Sequence, residues 1–103
     1  MIQYKSDARY KYYSSGFHYI VEFRWAGLED RQLFSRLLKI FEEMYGPDKE
    51  KVLHHKTADG SDYYFPQWKY NTDWRFEQNR SAKRRRIYLK EESALSLALL
   101  RIG

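Results

Sequence analysis

The chain has 103 residues, of which 43% are hydrophobic and 18% aromatic, and it carries a net charge of +5 with no cysteine. That is one domain's worth of chain, spanning residues 1–103, with a core drawn largely from rings and too apolar to stay disordered. Lack of cysteine excludes disulfides, thiolate nucleophiles and cysteine-based zinc sites together.

The longest apolar stretch, residues 94–100, is interrupted by Ser96 and falls far below the roughly 20 residues a membrane span needs. No basic start leads to a small-residue cleavage site, so the expected setting is cytoplasmic. A pI near 9.4 favours acidic partners, among them nucleic acid and acidic protein surfaces.

In chain order, residues 9–13 are β-prone, and Ser14, Ser15 and Gly16 after them are turn chemistry, so a hairpin into the next element is expected. Residues 17–25 give the clearest strand. Phe17, Tyr19, Val21, Phe23 and Trp25 alternate with His18, Ile20, Glu22 and Arg24, which sets five large apolar groups on one face. Residues 28–45 give the clearest helix, with Leu33, Phe34, Leu37, Leu38, Phe41, Met44 and Tyr45 on one broad stripe. Glu29 and Asp30 suit its positive N-terminal end, and Gly46 followed by Pro47 stops it.

Residues 48–62 read as a polar connector containing the turn pair Asp59-Gly60. Residues 63–70 look extended, and Pro66 confines them to an edge or a broken strand. Short strands over 74–78 and 85–90 flank a loop at 79–84, with Trp74, Phe76, Ile87 and Leu89 facing inward. Arg75 and Glu77 face outward, as do Arg86, Tyr88 and Lys90. Residues 91–102 suit a short helix by composition, finishing as an extended 100–102 segment, although Leu95, Leu97 and Leu99 also alternate as in a strand. The expected fold is α+β, a two-layer sandwich. Its antiparallel sheet carries one long and one short helix on one face, of ferredoxin-like flavour.

Residues 69–90 hold the charge excess. Eight basic residues stand there against Asp73 and Glu77, so this stretch is +6 in a chain of +5. Phosphates attract such charges and bases stack on rings, so the interleaved aromatics suggest a polyanion surface. On this reading Arg80, Lys83, Arg84, Arg85, Arg86 and Lys90 contact phosphate or an acidic partner. Trp68, Tyr70 and Tyr88 supply the stacking platform or hot spot. The alternative reading is a solvated turn and an edge strand guarded by its charges.

The other chemistry-bearing residues form no recognisable site. His54 and His55 are adjacent, so in an extended segment they point opposite ways, and no third ligand falls at a metal-site spacing. There is no nucleophile elbow and no glycine-rich phosphate loop. Neither an enzyme nor a cofactor is expected.

The ending, with Ile87-Tyr88-Leu89, then Glu91-Glu92, then the Leu-rich run over 95–100, resembles the endings of small accessory proteins of tailed bacteriophages. Ile102 stands where such endings often carry an aromatic before the final glycine. The resemblance covers less than a fifth of the chain. It implies a small viral protein of the host cytoplasm acting on nucleic acid or on a host protein.

Two functions follow as expectations. The first is a non-enzymatic module that binds RNA or single-stranded DNA through the basic hairpin tip. The second is a protein-interaction module, an inhibitor or assembly partner, docking an acidic protein surface. Under the second, the edge strand near residues 63–70 permits a homodimer.

Overall fold

The computed structural model describes residues 2–5, 16–58 and 60–102. Four antiparallel strands, β1 (Ile2–Lys5), β2 (Tyr19–Phe23), β5 (Trp74–Asn79) and β6 (Arg84–Leu89), form one sheet in the order β1-β2-β6-β5. The helices α1 (Leu28–Tyr45) and α2 (Glu92–Ile102) pack on one face of it. Strands β3 (Lys49–Ala58) and β4 (Ser61–Tyr70) pair only with each other among the described residues.

The fold is therefore an α+β two-layer sandwich with a second, small sheet. Both β2 and β5 are antiparallel to β6, which lies between them, so they run parallel to each other. The link through α1 thus makes a split β-α-β unit, and β1 fills the edge beside β2.

Side-chain alternation explains the main core. Val21 and Phe23 of β2, Trp74 of β5, and Ile87 and Leu89 of β6 share the helix-facing side. They meet Phe34, Leu37 and Phe41 of α1 and Ala94, Leu95 and Ala98 of α2. Full burial of each large group contributes about 1.5–3 kcal/mol. Phe34 meets Phe23 edge-on at 5.2 Å between centroids, and Phe41 stacks on Trp74 at 5.6 Å. The indole N–H of Trp74 donates to the Gly46 carbonyl at 2.9 Å, which ties the end of α1 to β5.

Helix α1 has the bounds its periodicity predicts. Its start has no side-chain cap from Gly27. Instead Asp30 turns back and accepts from the Arg24 backbone N–H at 2.7 Å. That hydrogen bond holds the Asp30 carboxyl below the usual range, with help from the Arg24 charge and against the opposing effect of burial. At the other end Gly46, at φ 86°, donates its N–H to the Glu42 carbonyl at 2.8 Å.

Several expectations are corrected. The partner of β2 at that edge is Ile2–Lys5, while residues 9–15 of the expected hairpin lie outside the described residues. Strand β2 is shorter than 17–25, and Phe17 departs from its apolar face to join Ile20 and Tyr88 in a separate buried cluster. Residues 48–62 are not a connector, because Lys49–Ala58 pairs with Ser61–Tyr70 along its whole length. Residues 100–102 continue α2 as helix and do not finish extended.

The β3–β4 hairpin is an arm. Ten residues at about 3.3 Å each reach about 33 Å, and the molecule measures 55 × 29 × 25 Å. Its radius of gyration is 16.5 Å, against about 13 Å for a compact chain of this length. Asn71 anchors the root. Its side-chain amide donates to the carbonyls of Tyr45 (2.9 Å) and Pro47 (3.2 Å), and its Oδ1 accepts from the Asp73 N–H at 2.8 Å. Asp48 lies beside it, its carboxyl raised chiefly by burial against the pull of Lys49 and Arg75. No described helix is long and apolar enough to cross a membrane.

Candidate interaction surface: a basic hairpin and an aromatic arm

The basic residues of the β5–β6 hairpin do not form one patch. The hairpin forms where the sequence places it, with Arg80 to Lys83 in the turn, but alternation sends the side chains in different directions. Arg85 is 5% and Arg86 7% exposed, and Tyr88 is 1% exposed. The expectation that Arg86 and Tyr88 face solvent is thereby corrected, and Arg85, expected to contact a partner, is buried as well.

Each of the three is buried because another strand supplies what it needs. On the sheet face away from the helices, Arg86 stands directly between Glu22 of β2 and Glu77 of β5. Its Nε donates to Glu22 Oε2 at 3.2 Å. The Tyr88 hydroxyl donates to Glu77 Oε2 at 2.8 Å. Burial, reinforced by that hydrogen bond and the Glu77 charge, pushes the Tyr88 hydroxyl up to about 12. Arg84 lies 3.6 Å from Glu77 Oε1.

On the helix side, the Arg85 guanidinium carbon sits 3.9 Å from the Trp25 ring centroid. Its Nη1 donates to the Trp25 carbonyl at 2.7 Å, while its Nε has no hydrogen-bond partner among the described residues. These cations hold the sheet together. A formal charge count does not reveal this, because Glu22 and Trp25 are some sixty residues away in the chain.

Arg80, Lys83 and Lys90 remain exposed, but they are separated. The first two lie in the turn at one end of β5–β6, and Lys90 lies at the other, where its N–H donates to the Asp73 carbonyl at 3.1 Å. A six-residue strand of about 20 Å lies between them. Trp68 and Tyr70 are at the arm's end of that span, so the turn's cations and the exposed rings do not form one surface.

The rings instead concentrate on the arm. Tyr63, Tyr64, Phe65, Trp68 and Tyr70 are all exposed, as is Leu53. Alternation puts Tyr64, Trp68 and Tyr70 on one face with Lys49, Lys51, Leu53 and His55, and Tyr63 and Phe65 on the other with Val52 and His54. His54 stacks on Phe65 at 5.6 Å and His55 on Tyr64 at 5.0 Å, so the two histidines occupy opposite faces. His55 Nε2 lies 3.3 Å from Asp62 Oδ1, and the Thr57 hydroxyl donates to the same oxygen at 3.0 Å. Lys49 Nζ lies 4.8 Å over Trp68, and the Arg75 guanidinium lies 4.3 Å over Tyr70.

The arm missed by the connector reading had one available signal. Asp59-Gly60 stands midway between two ten-residue segments of equal length, the second rich in β-prone rings.

No described group of three or more His, Asp and Glu side chains is arranged to hold a metal ion. A cavity of about 300 Å³ lies between β2 and α2, lined by Gln3, Tyr19, Ile20, Val21, Leu89, Glu92 and Leu95. Among the described residues that line it, Glu92 is the one carboxylate, and none of the others is a base that would complete an acid–base pair. Against family models, curated proteins and solved structures alike, the chain finds no match.

Proposed function

We propose that this protein is a non-enzymatic protein-interaction module whose working surface is the β3–β4 arm. The observation that carries this reading is the exposure of all ten β4 residues, five of them aromatic, on a ribbon that no other described strand or helix covers on either face. A two-stranded hairpin alone is marginally stable in water, and a contiguous exposed apolar surface marks a binding site. Tyr and Trp are the side chains that dominate protein hot spots. The arm is not a polyanion surface by charge. Over residues 49–70 four lysines stand against Glu50, Asp59 and Asp62, a net +1.

The test is co-purification after nuclease treatment. The arm variant Tyr64→Ser/Trp68→Ser is expected to lose a stoichiometric protein that the unaltered chain and an Arg80→Ala/Lys83→Ala variant both retain. Equal retention by the arm variant contradicts the reading.

A second reading, binding of single-stranded RNA or DNA, rests on the exposed turn where Arg80 and Lys83 project beside Arg84. It predicts oligonucleotide affinity that falls steeply with salt and is lost in Arg80→Ala/Lys83→Ala. Affinity unmoved by either change removes it.

A further inference from the structure

Resting on the arm as the working surface, we infer that its occupant is a second copy of this chain. The two arms pair β3 to β3 across a two-fold axis at Leu53, making one four-stranded sheet.

The choice of edge comes from Pro66. Ala58 pairs with Ser61 across a two-residue turn, where Gly60 has φ 77°. Such a turn is closed by a hydrogen-bonded pair, and these pairs then alternate with open ones along the ribbon. Counting from Ala58 and Ser61, Leu53 and Pro66 form an open pair. Their backbone polar groups point outward, and so do those of Lys51, His55 and Thr57 on β3. On β4 the outward row is interrupted, because Pro66 has no N–H to offer. The β3 edge is complete, and among the described residues no third strand covers it.

The register comes from charge. A two-fold axis perpendicular to the sheet opposes residues of the same face, so only even registers are allowed. Centring on Leu53 sets Leu53 against its own copy and Val52 against His54. It also sets Glu50 against Lys56, twice. The opposed Glu50 and Lys56 form open pairs, the closer kind for side chains. Centring on Val52 instead puts Glu50 opposite His54. Centring on His54 puts Val52 opposite Lys56 and Glu50 opposite Ala58, so the other copy offers Glu50 no cation.

The gain is physical. Each marginal two-stranded ribbon becomes half of a four-stranded sheet, and the outward N–H and C=O row of β3 is satisfied.

The absence of cysteine makes a direct test possible. Directly opposed residues in a hydrogen-bonded pair have Cα atoms about 5.5 Å apart, within disulfide range. Leu53→Cys is expected to give a covalent dimer under mild oxidation. Thr57→Cys, outward-facing on the same strand but opposite Lys49 of the other copy, is expected to give little.

Light scattering on the cysteine-free chain should show mass rising from 12.6 kDa toward twice that with concentration. Glu50→Lys should weaken the dimer about tenfold, and Glu50→Lys/Lys56→Glu should restore most of the loss. A constant monomer mass up to several hundred micromolar overturns the pairing, as does equal cross-linking of the two cysteine variants. Either result leaves the arm free to be judged separately by the co-purification test. A dimer that forms but ignores the charge exchange overturns the register.

Discussion

The molecule contains two hairpins that differ in what they do with their side chains. The β5–β6 hairpin carries the basic run, yet folds much of it into the sheet, where Glu22, Glu77 and Trp25 meet it. The β3–β4 arm is close to neutral and leaves its rings in solvent. A charge-dense segment need not be a binding surface. Local sequence records the cations, but whether they are available depends on carboxylates that tertiary structure brings from distant strands.

The sharpest separation between the two regions is in stability. Phe41→Ala opens a void where the helix layer meets Trp74 and should cost about 3–5 kcal/mol, read as a lower denaturant midpoint. Trp68→Ala on the arm should change stability by no more than about 0.5 kcal/mol. A large loss from Trp68→Ala would mean that the arm belongs to the core's cooperative unit.

Within the basic segment the effects should divide by burial. Arg86→Ala removes the hydrogen-bonded Arg86–Glu22 ion pair from the sheet and should cost about 1–3 kcal/mol. Lys83→Ala should be close to neutral. If both were neutral by chemical denaturation, the inward reading of the charge would fail.

A smaller effect lies at alkaline pH. The folded protein holds the Tyr88 hydroxyl at about 12, above the ordinary tyrosine value near 10. Its contribution to stability is therefore fully present below pH 10 and is lost as pH rises through 12. Ultraviolet titration of the folded chain should show one tyrosine ionising late, and Tyr88→Phe should remove that late step.

The sequence makes some of this plain for physical reasons. Residues 28–45 carry a helical stripe because one face of α1 is buried, and burial on one side is what creates periodicity. The same holds for Trp74 with Phe76 and for Ile87 with Leu89. The segment KEKVLHHKTA shows no alternation because both faces of β3 meet solvent, so an arm looks like a connector. Pro66 marks an edge correctly, yet only the pairing of Lys49–Ala58 reveals which edge it blunts. Ile2–Lys5 is four residues long, too short for a period to register. Trp68 and Tyr70 are exposed as a binding role requires, whereas Tyr88 is withdrawn to hold Glu77.

Residue-resolved amide exchange at low and high protein concentration observes both hairpins at once. The N–H groups of Lys51, Leu53 and His55 should exchange more slowly as concentration rises, while those of Arg80 to Lys83 stay unchanged. Concentration-dependent protection at the β5–β6 turn, with none along β3, would contradict pairing through the arm.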